Sequence, residues 1–309
     1  MKTFKIVLII VAAIAVLAIG LSFLIFHLLF ASPKRSKKVP DYYVGTPHYV
    51  ASRKGMAIMD KLPVEDCFIT SRDGLKLHAY LYPAEGGPKK KFVIGIHGYK
   101  SYARPEFGPY IEFYRSLGYS LLLPDDRAHK PSEGKYIGFG VLDRLDATDW
   151  AKYLVETYGD DVEILMHGVS MGSATVMAAS AEEDLPVNVF GIVADCGYTS
   201  AEDILSWQMK QMKAPAKLIL PCLELVTKML AGYGFDEHTP IEAVKKARVP
   251  ILFVQGKEDK MVPEFMCHEL YDACTSRKEL LYSETAGHGE TIAIEKERYE
   301  ATIRSFFGI

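Results

Sequence analysis

Residues 168–172 read Gly-Val-Ser-Met-Gly, and this segment constrains the fold more than any other part of the chain. An apolar run at residues 164–166 precedes it, and the small residues 173–179 follow it. The pattern predicts a buried strand, a sharp turn and a helix. Such a turn holds the serine in a strained backbone conformation that lifts its hydroxyl clear of the sheet. Glycines flank it because a Cβ at either position would crowd the strand or the helix.

A serine hydroxyl becomes an effective nucleophile only when a base removes its proton and a carboxylate orients that base. Asp259 follows the apolar run 250–256, which predicts a carboxylate at the carboxyl edge of the sheet; Glu258 is the second candidate there. His288 lies between two glycines after a further short strand. We therefore predict Ser170, Asp259 and His288 as a catalytic triad, in that chain order.

Other charged residues near the predicted strand ends need a separate interpretation. Asp195 ends the sixth predicted strand and is an alternative carboxylate for orienting His288. Four charged or titratable residues after the fourth predicted strand are interpreted as a buried, paired network that supports the loop near the nucleophile; they are Asp125, Asp126, Arg127 and His129.

An acyl-transfer site also needs backbone N–H groups directed at the developing oxyanion. The residue after the nucleophile, Met171, is one predicted donor. The loop after the strand predicted at residues 91–96 contains the other, the amide of Tyr99. We expect His97 in the same loop to make a loop-shaping hydrogen bond and to take no part in proton transfer.

Taken together, these motifs resemble those of the α/β-hydrolase superfamily, and in particular its membrane-anchored bacterial branch of cell-surface hydrolase-like proteins. The resemblance covers about residues 64–309 and implies hydrolysis of carboxylic esters through an acyl-enzyme, with no metal or organic cofactor. Similar proteins usually carry Gly where this chain has Lys130, so this loop is expected to differ in conformation from theirs, without effect on the predicted triad. The segments that carry the resemblance are 70–77, 97–99, 125–129, 132–134, 168–172, 195–198, 256–259 and 287–289.

The coarse pattern predicts an α/β fold: a mostly parallel, eight-stranded sheet with helices on both faces and a helical cap at about residues 199–248. The first two strands alternate in polarity around an Arg-Asp-Gly turn signal, whereas the later strands are continuous apolar runs typical of a buried parallel sheet. Predicted strands are 67–71, 75–82, 92–97, 120–124, 163–167, 189–195, 250–256 and 279–283.

An apolar run from residue 6 to residue 31 exceeds the roughly 20 residues that a helix needs to cross a bilayer. We predict a retained single-pass anchor at residues 1–31, a linker at 32–63 with a short helix near 49–61, and the catalytic domain at 64–309. Basic residues flank the run on both sides, so the positive-inside rule applied literally places the enzyme in the cytoplasm. The resemblance favours an extracytoplasmic catalytic domain at the cell membrane.

Composition narrows the remaining classes of function. The formal net charge is −3, and no basic face argues for nucleic-acid binding. Five cysteines without paired spacing predict buried free thiols and no disulfide scaffold. The expected partner is a small-molecule or lipid-like acyl ester. Alternatives are a peptidase or acyltransferase on the same scaffold, and a catalytically silent anchored binding module.

Overall fold

A twisted eight-stranded sheet organises the protein, for which a computed structural model describes residues 2–33, 44–87 and 90–309. The strand order is β1-β2-β4-β3-β5-β6-β7-β8; β2 runs antiparallel to both of its neighbours, and β3 to β8 are parallel. All eight predicted strands and the predicted fold class are confirmed. The strands are β1 Glu65–Thr70, β2 Lys76–Tyr82, β3 Lys91–Ile96, β4 Ser120–Asp125, β5 Glu163–Val169, β6 Val189–Asp195, β7 Ile251–Gly256 and β8 Lys278–Ser283.

Helices cover both faces of this sheet because successive strand side chains point to opposite sides. On β4, Leu122 joins one apolar cluster, whereas Leu121 and Leu123 join the other. The helices are α1 Lys2–Phe30, α2 Pro47–Met59, α3 Ala103–Phe107, α4 Ile111–Ser116, α5 Asp143–Tyr158, α6 Met171–Ala179, α7 Ala201–Gln211, α8 Ala216–Ala231, α9 Pro240–Val244, α10 Glu264–Ala273, α11 Thr291–Ile294 and α12 Lys296–Phe307.

Three of these helices, α7, α8 and α9, form the predicted insertion between β6 and β7. Helix α7 begins at Ser200, whose Oγ accepts a hydrogen bond of 3.0 Å from the Asp203 amide. Helix α8 ends at Gly232, which adopts the left-handed conformation at φ +79°. Their apolar faces share a third buried cluster with Met171 at the start of α6, so the cap lies over the nucleophile turn.

The last turns of α1 pack against this cap. Phe26 and Phe30 are fully buried there, with their rings stacked at a centroid distance of 5.1 Å, and Phe30 also meets Phe139 and Phe235. The end of the predicted anchor is thus part of the domain core. Within the described ranges, no helix has a stretch long and apolar enough to cross a membrane.

Part of the predicted linker is also packed on the domain. Helix α2 corresponds to the short helix expected near residues 49–61 and lies against the segment that follows α3. The approach is so close that a Cβ on Gly55 would lie 1.9 Å from the Gly108 carbonyl oxygen. Ser52 Oγ donates a hydrogen bond of 2.6 Å to the Pro105 carbonyl. The basic residues at 34–38 on which the orientation argument rests lie outside the described residues.

Candidate active site

Ser170 occupies the sharp turn between β5 and α6 that the sequence predicts. Its backbone has φ +56° and ψ −115°, a conformation that L-residues rarely adopt. The turn is tight on both sides: a Cβ on Gly168 would lie 2.1 Å from the Gly172 carbonyl oxygen, and one on Gly172 would lie 2.0 Å from that of Ile96. The Ser170 amide donates to the Asp195 carbonyl at 2.8 Å, which fixes the turn on β6.

The structure brings the three predicted triad residues into one chain of hydrogen bonds. His288 Nε2 lies 2.9 Å from Ser170 Oγ, and His288 Nδ1 lies 2.7 Å from Asp259 Oδ2. With the Nδ1 proton donated to Asp259, Nε2 is left as an acceptor for the serine proton. Burial lowers the pKa of His288, but the charge of Asp259 and its hydrogen bond outweigh burial, so the net pKa is raised.

Asp259 is held rigidly at the loop after β7. Its side chain is fully buried, and its Oδ1 accepts hydrogen bonds from the amides of Met261 at 2.8 Å and Val262 at 2.9 Å. These two bonds use one carboxylate oxygen and leave the other for His288. The geometry therefore suits the orienting role expected of a triad carboxylate.

The two alternative carboxylates do not reach His288. Glu258 is exposed, and its backbone amide bonds to the Ala286 carbonyl. Asp195 is fully buried beneath the turn, where its Oδ2 accepts hydrogen bonds from Tyr299 at 2.8 Å and Tyr110 at 3.4 Å. Burial raises the pKa of Asp195 to about 6.

Both predicted oxyanion donors border Ser170. Met171 is the first residue of α6 and is buried. Tyr99 follows Gly98, where an added Cβ would lie only 3.3 Å from Ser170 Cβ, so this loop passes directly against the nucleophile. The Tyr99 hydroxyl donates a hydrogen bond of 2.7 Å to the Leu29 carbonyl at the end of α1.

His97 shapes this loop, as expected. Its Nδ1 donates to the Gly98 carbonyl at 2.8 Å, and its Nε2 accepts from the Asp126 amide at 3.1 Å. Complete burial lowers the pKa of His97 well below its ordinary value, so the ring is neutral. Both ring nitrogens are used for backbone contacts, which leaves neither for proton transfer.

Comparison with known proteins agrees with this geometry. The family described as serine hydrolase (FSH1) matches residues 193–289. The protein YqkD of Bacillus subtilis is 25% identical over 198 residues, 64% of this chain and 65% of its own length, and the membrane protein YNL320W of Saccharomyces cerevisiae is 25% identical over 79% of this chain and 80% of its own. The esterase Pf2001 of Pyrococcus furiosus is similar in structure, with 25% identity and a TM-score of 0.64 over 79% of this chain and 92% of its own.

The chain has the fold of the α/β-hydrolase superfamily. The matched family and the esterase neighbour support a serine hydrolase.

The four residues predicted after β4 as a paired network are buried, but their side chains do not pair with one another. Arg127 contacts Asp146 at 2.7 Å and Asp73 at 3.0 Å, Asp125 Oδ2 lies 3.0 Å from His78 Nδ1, and His129 Nδ1 lies 3.1 Å from the Arg127 carbonyl. Asp126 Oδ2 and His129 Nε2 are buried without a hydrogen-bond partner among the described residues. None of these contacts involves a predicted triad residue, in agreement with a supporting role.

Three further residues near the predicted triad were not predicted to contact it. Cys196, at the end of β6, has its Sγ 4.0 Å from His288 Nε2. His48, on α2, places Nδ1 3.0 Å from the Gly289 carbonyl oxygen and Nε2 3.6 Å from Glu106 Oε1. No local pattern marks His48 or Glu106, and segment 195–198, which contains Cys196, carries the family resemblance without indicating that the thiol approaches His288.

Cys196, Asp259 and His288 also form the group among the described residues whose donor atoms could surround a metal ion, all within 4.8 Å of one another. Burial raises the pKa of the Cys196 thiol well above its ordinary value, which disfavours the thiolate that binds metals. His288 already directs its two nitrogens at Asp259 and Ser170. The arrangement is therefore better suited to proton transfer than to metal binding.

Proposed function

We propose that the protein hydrolyses carboxylic esters through an acyl-enzyme on Ser170. The observation that carries this proposal is the hydrogen-bond chain from Ser170 Oγ through His288 to Asp259. Ser170 Oγ attacks the acyl carbonyl while His288 Nε2 takes its proton and then delivers it to the departing alcohol. Water repeats the sequence on the acyl-enzyme and releases the acid.

In this mechanism the amides of Tyr99 and Met171 stabilise the oxyanion of each tetrahedral intermediate. Their place beside Ser170 and at the positive end of α6 supports that assignment. Asp259 orients His288 and stabilises the imidazolium that forms. An ester substrate is favoured over a peptide because the similar Pyrococcus protein is named an esterase.

The test uses short p-nitrophenyl esters, matched peptide anilides and a fluorophosphonate probe on the purified chain. We expect ester turnover and covalent labelling, both lost in Ser170→Ala, with kcat/KM lower by about 10³-fold or more. Ser116→Ala removes a serine at the end of α4, far from the turn in sequence, and serves as the control. Preference for anilides would favour a peptidase, and absence of Ser170-dependent labelling would favour a silent binding module.

We also propose that α1 attaches the enzyme to a membrane, with the catalytic domain at residues 64–309 on the extracytoplasmic side. Large apolar side chains of α1 are exposed, an arrangement that is unfavourable in water. The yeast relative is named a membrane protein. The test is recovery in an alkali-washed membrane fraction together with protease digestion of intact cells; a fully soluble protein would contradict it. The exposed side chains include Phe4, Ile6, Ile9, Val16, Leu21, Leu24 and Leu28.

A further inference from the structure

The turn between α7 and α8 and the first turn of α8 each expose a large apolar side chain at the tip of the cap. Met212 is 70% exposed and Leu218 is 74% exposed. Along α8, Leu225 and Met229 are exposed as well, and their spacing from Leu218 places all three on one face of the helix. Scattered apolar residues are common on protein surfaces, but a continuous stripe of this kind indicates a binding surface.

Positive charge surrounds this apolar tip. Lys210, Lys213 and Lys217 are exposed, and no acidic residue occurs in the sequence between Asp203 and Glu224. Within the part of the chain that the structure describes, none of the three lysines pairs with a carboxylate. Apolar side chains flanked by lysines are typical of segments that insert into the interface of an anionic bilayer.

The same surface continues towards the active site. Gln208 Nε2 on α7 donates a hydrogen bond of 2.6 Å to the carbonyl of Met261, whose own amide bonds to Asp259. The Trp207 ring contacts that of Phe265 at a centroid distance of 5.7 Å, and both Met261 and Phe265 are exposed apolar residues. The apolar surface therefore reaches the loop that holds the triad carboxylate.

We propose that the cap tip, residues 210–218 together with the exposed face of α8, docks on the surface of an anionic lipid bilayer. Docking would bring the site against a lipid phase in which amphiphilic esters are concentrated; only this consequence rests on the proposed ester hydrolysis. A second copy of the chain fits this surface less well, because a symmetric dimer contact would bring the lysines of one copy close to the same lysines of the other. Helix α1 packs beside α8, and its exposed side chains are also apolar. Both helices could therefore face the bilayer in this orientation.

Trp207 provides an intrinsic probe of docking, because the other tryptophan, Trp150 on α5, is buried. The full chain is mixed with brominated phosphatidylcholine vesicles, with and without one third phosphatidylglycerol. We expect Trp207 emission to fall by about half or more only with the anionic vesicles, and Trp207→Phe to remove the signal. Full chain that co-sediments with these vesicles without quenching, or that does not co-sediment, would overturn the proposal.

Charge and apolar insertion are separated with two variants. Lys213→Glu/Lys217→Glu and Met212→Asp should each reduce quenching at least threefold, whereas Val187→Asp should leave it unchanged. Val187 is the matched control because it is 98% exposed and lies before β6, outside the cap. Equal quenching in all variants would overturn the proposal, as would a dimer in lipid-free sedimentation that Met212→Asp dissociates.

Activity distinguishes failure of docking from failure of the proposed chemistry. Met212→Asp should keep turnover of soluble p-nitrophenyl acetate within about twofold, yet lose at least tenfold on a long-chain ester dispersed in anionic vesicles. Quenching without hydrolysis of any ester would retain the docking surface and reject the esterase. Hydrolysis of both esters at unchanged rates in Met212→Asp would retain the esterase and reject the docking surface.

Discussion

His48 Nδ1 lies 3.0 Å from the carbonyl oxygen of Gly289, the residue that directly follows His288. His48 belongs to α2, which precedes the first strand, and its Nε2 faces Glu106 Oε1 at 3.6 Å. The Nδ1–H group of His48 donates to that carbonyl. Through these contacts α2 connects the loop of His288 to α3.

Replacement of His48 should therefore impair catalysis without weakening substrate binding. We expect His48→Ala to lower kcat for p-nitrophenyl butyrate about tenfold with little change in KM, because one buried hydrogen bond contributes about 1 kcal/mol to holding the loop. His48→Gln, which keeps a donor, should recover part of the loss. His268→Ala on the exposed face of α10 is the control. An unchanged kcat in His48→Ala would show that the His288 loop keeps its position without His48.

The neighbouring carboxylates Asp259 and Glu258 should differ sharply in mutational effect. Asp259→Asn should reduce kcat about 10³- to 10⁴-fold, because the amide favours the wrong imidazole tautomer. Glu258→Gln should stay within about twofold, since the Glu258 side chain is exposed and His288 Nδ1 contacts Asp259. Steady-state kinetics on one ester measures both variants, and a large loss in Glu258→Gln would reverse the assignment.

The pH dependence follows from His288, which must be neutral to accept the serine proton. Because Asp259 raises the pKa of His288, kcat/KM should fall as the pH drops through this raised pKa and level off above it. Asp259→Asn removes the negative charge that raises the pKa of His288, while the burial that lowers this pKa remains. The pH midpoint of the residual activity should therefore move to lower pH. A midpoint that stays in place or moves upwards would mean that another group titrates.

The nucleophile turn should tolerate no side chain at Gly172. A Cβ there would meet backbone, at 2.0 Å from the Ile96 carbonyl oxygen, and β3, which ends at Ile96, cannot withdraw without breaking its hydrogen bonds to β5. We expect Gly172→Ala to lower the free energy of unfolding by about 3 kcal/mol or more in urea titrations. Gly20→Ala, where nothing lies within 4 Å of the added Cβ, is the matched control. Equal stability of the two variants would contradict the tight turn.

The sequence predicted those parts of the molecule that local patterns determine. Every strand was identified because short apolar runs bounded by turn residues, and runs that alternate in polarity, are typical of strands, and the glycines around Ser170 specify their turn. Asp259 and His288 could be placed because chain order and strand ends locate them. His48 carries no such signal, and segment 195–198 does not indicate that Cys196 approaches His288. Both contacts form only when α2 and β6 meet the histidine loop.

The end of α1 shows a different limit of prediction from the sequence. Phe26 and Phe30 have the same apolar character whether a lipid chain or a protein core surrounds them, so a hydropathy pattern cannot tell the two apart. The structure places both in the cap cluster. The last turns of α1 therefore belong to the core of the domain, and the boundary predicted at residue 31 divides α1 from a core that it helps to form.

The Tyr99 hydroxyl donates a hydrogen bond to the Leu29 carbonyl, so deletion of α1 would alter the Tyr99 loop as well as remove the apolar helix. A shortened protein beginning after Ala31 would leave the tyrosine hydroxyl without its acceptor and expose the aromatic cavity that Phe26 and Phe30 fill. Activity measured on such a shortened protein would then reflect a less well ordered Tyr99 loop, the predicted oxyanion loop, and could not be taken as the activity of the full chain.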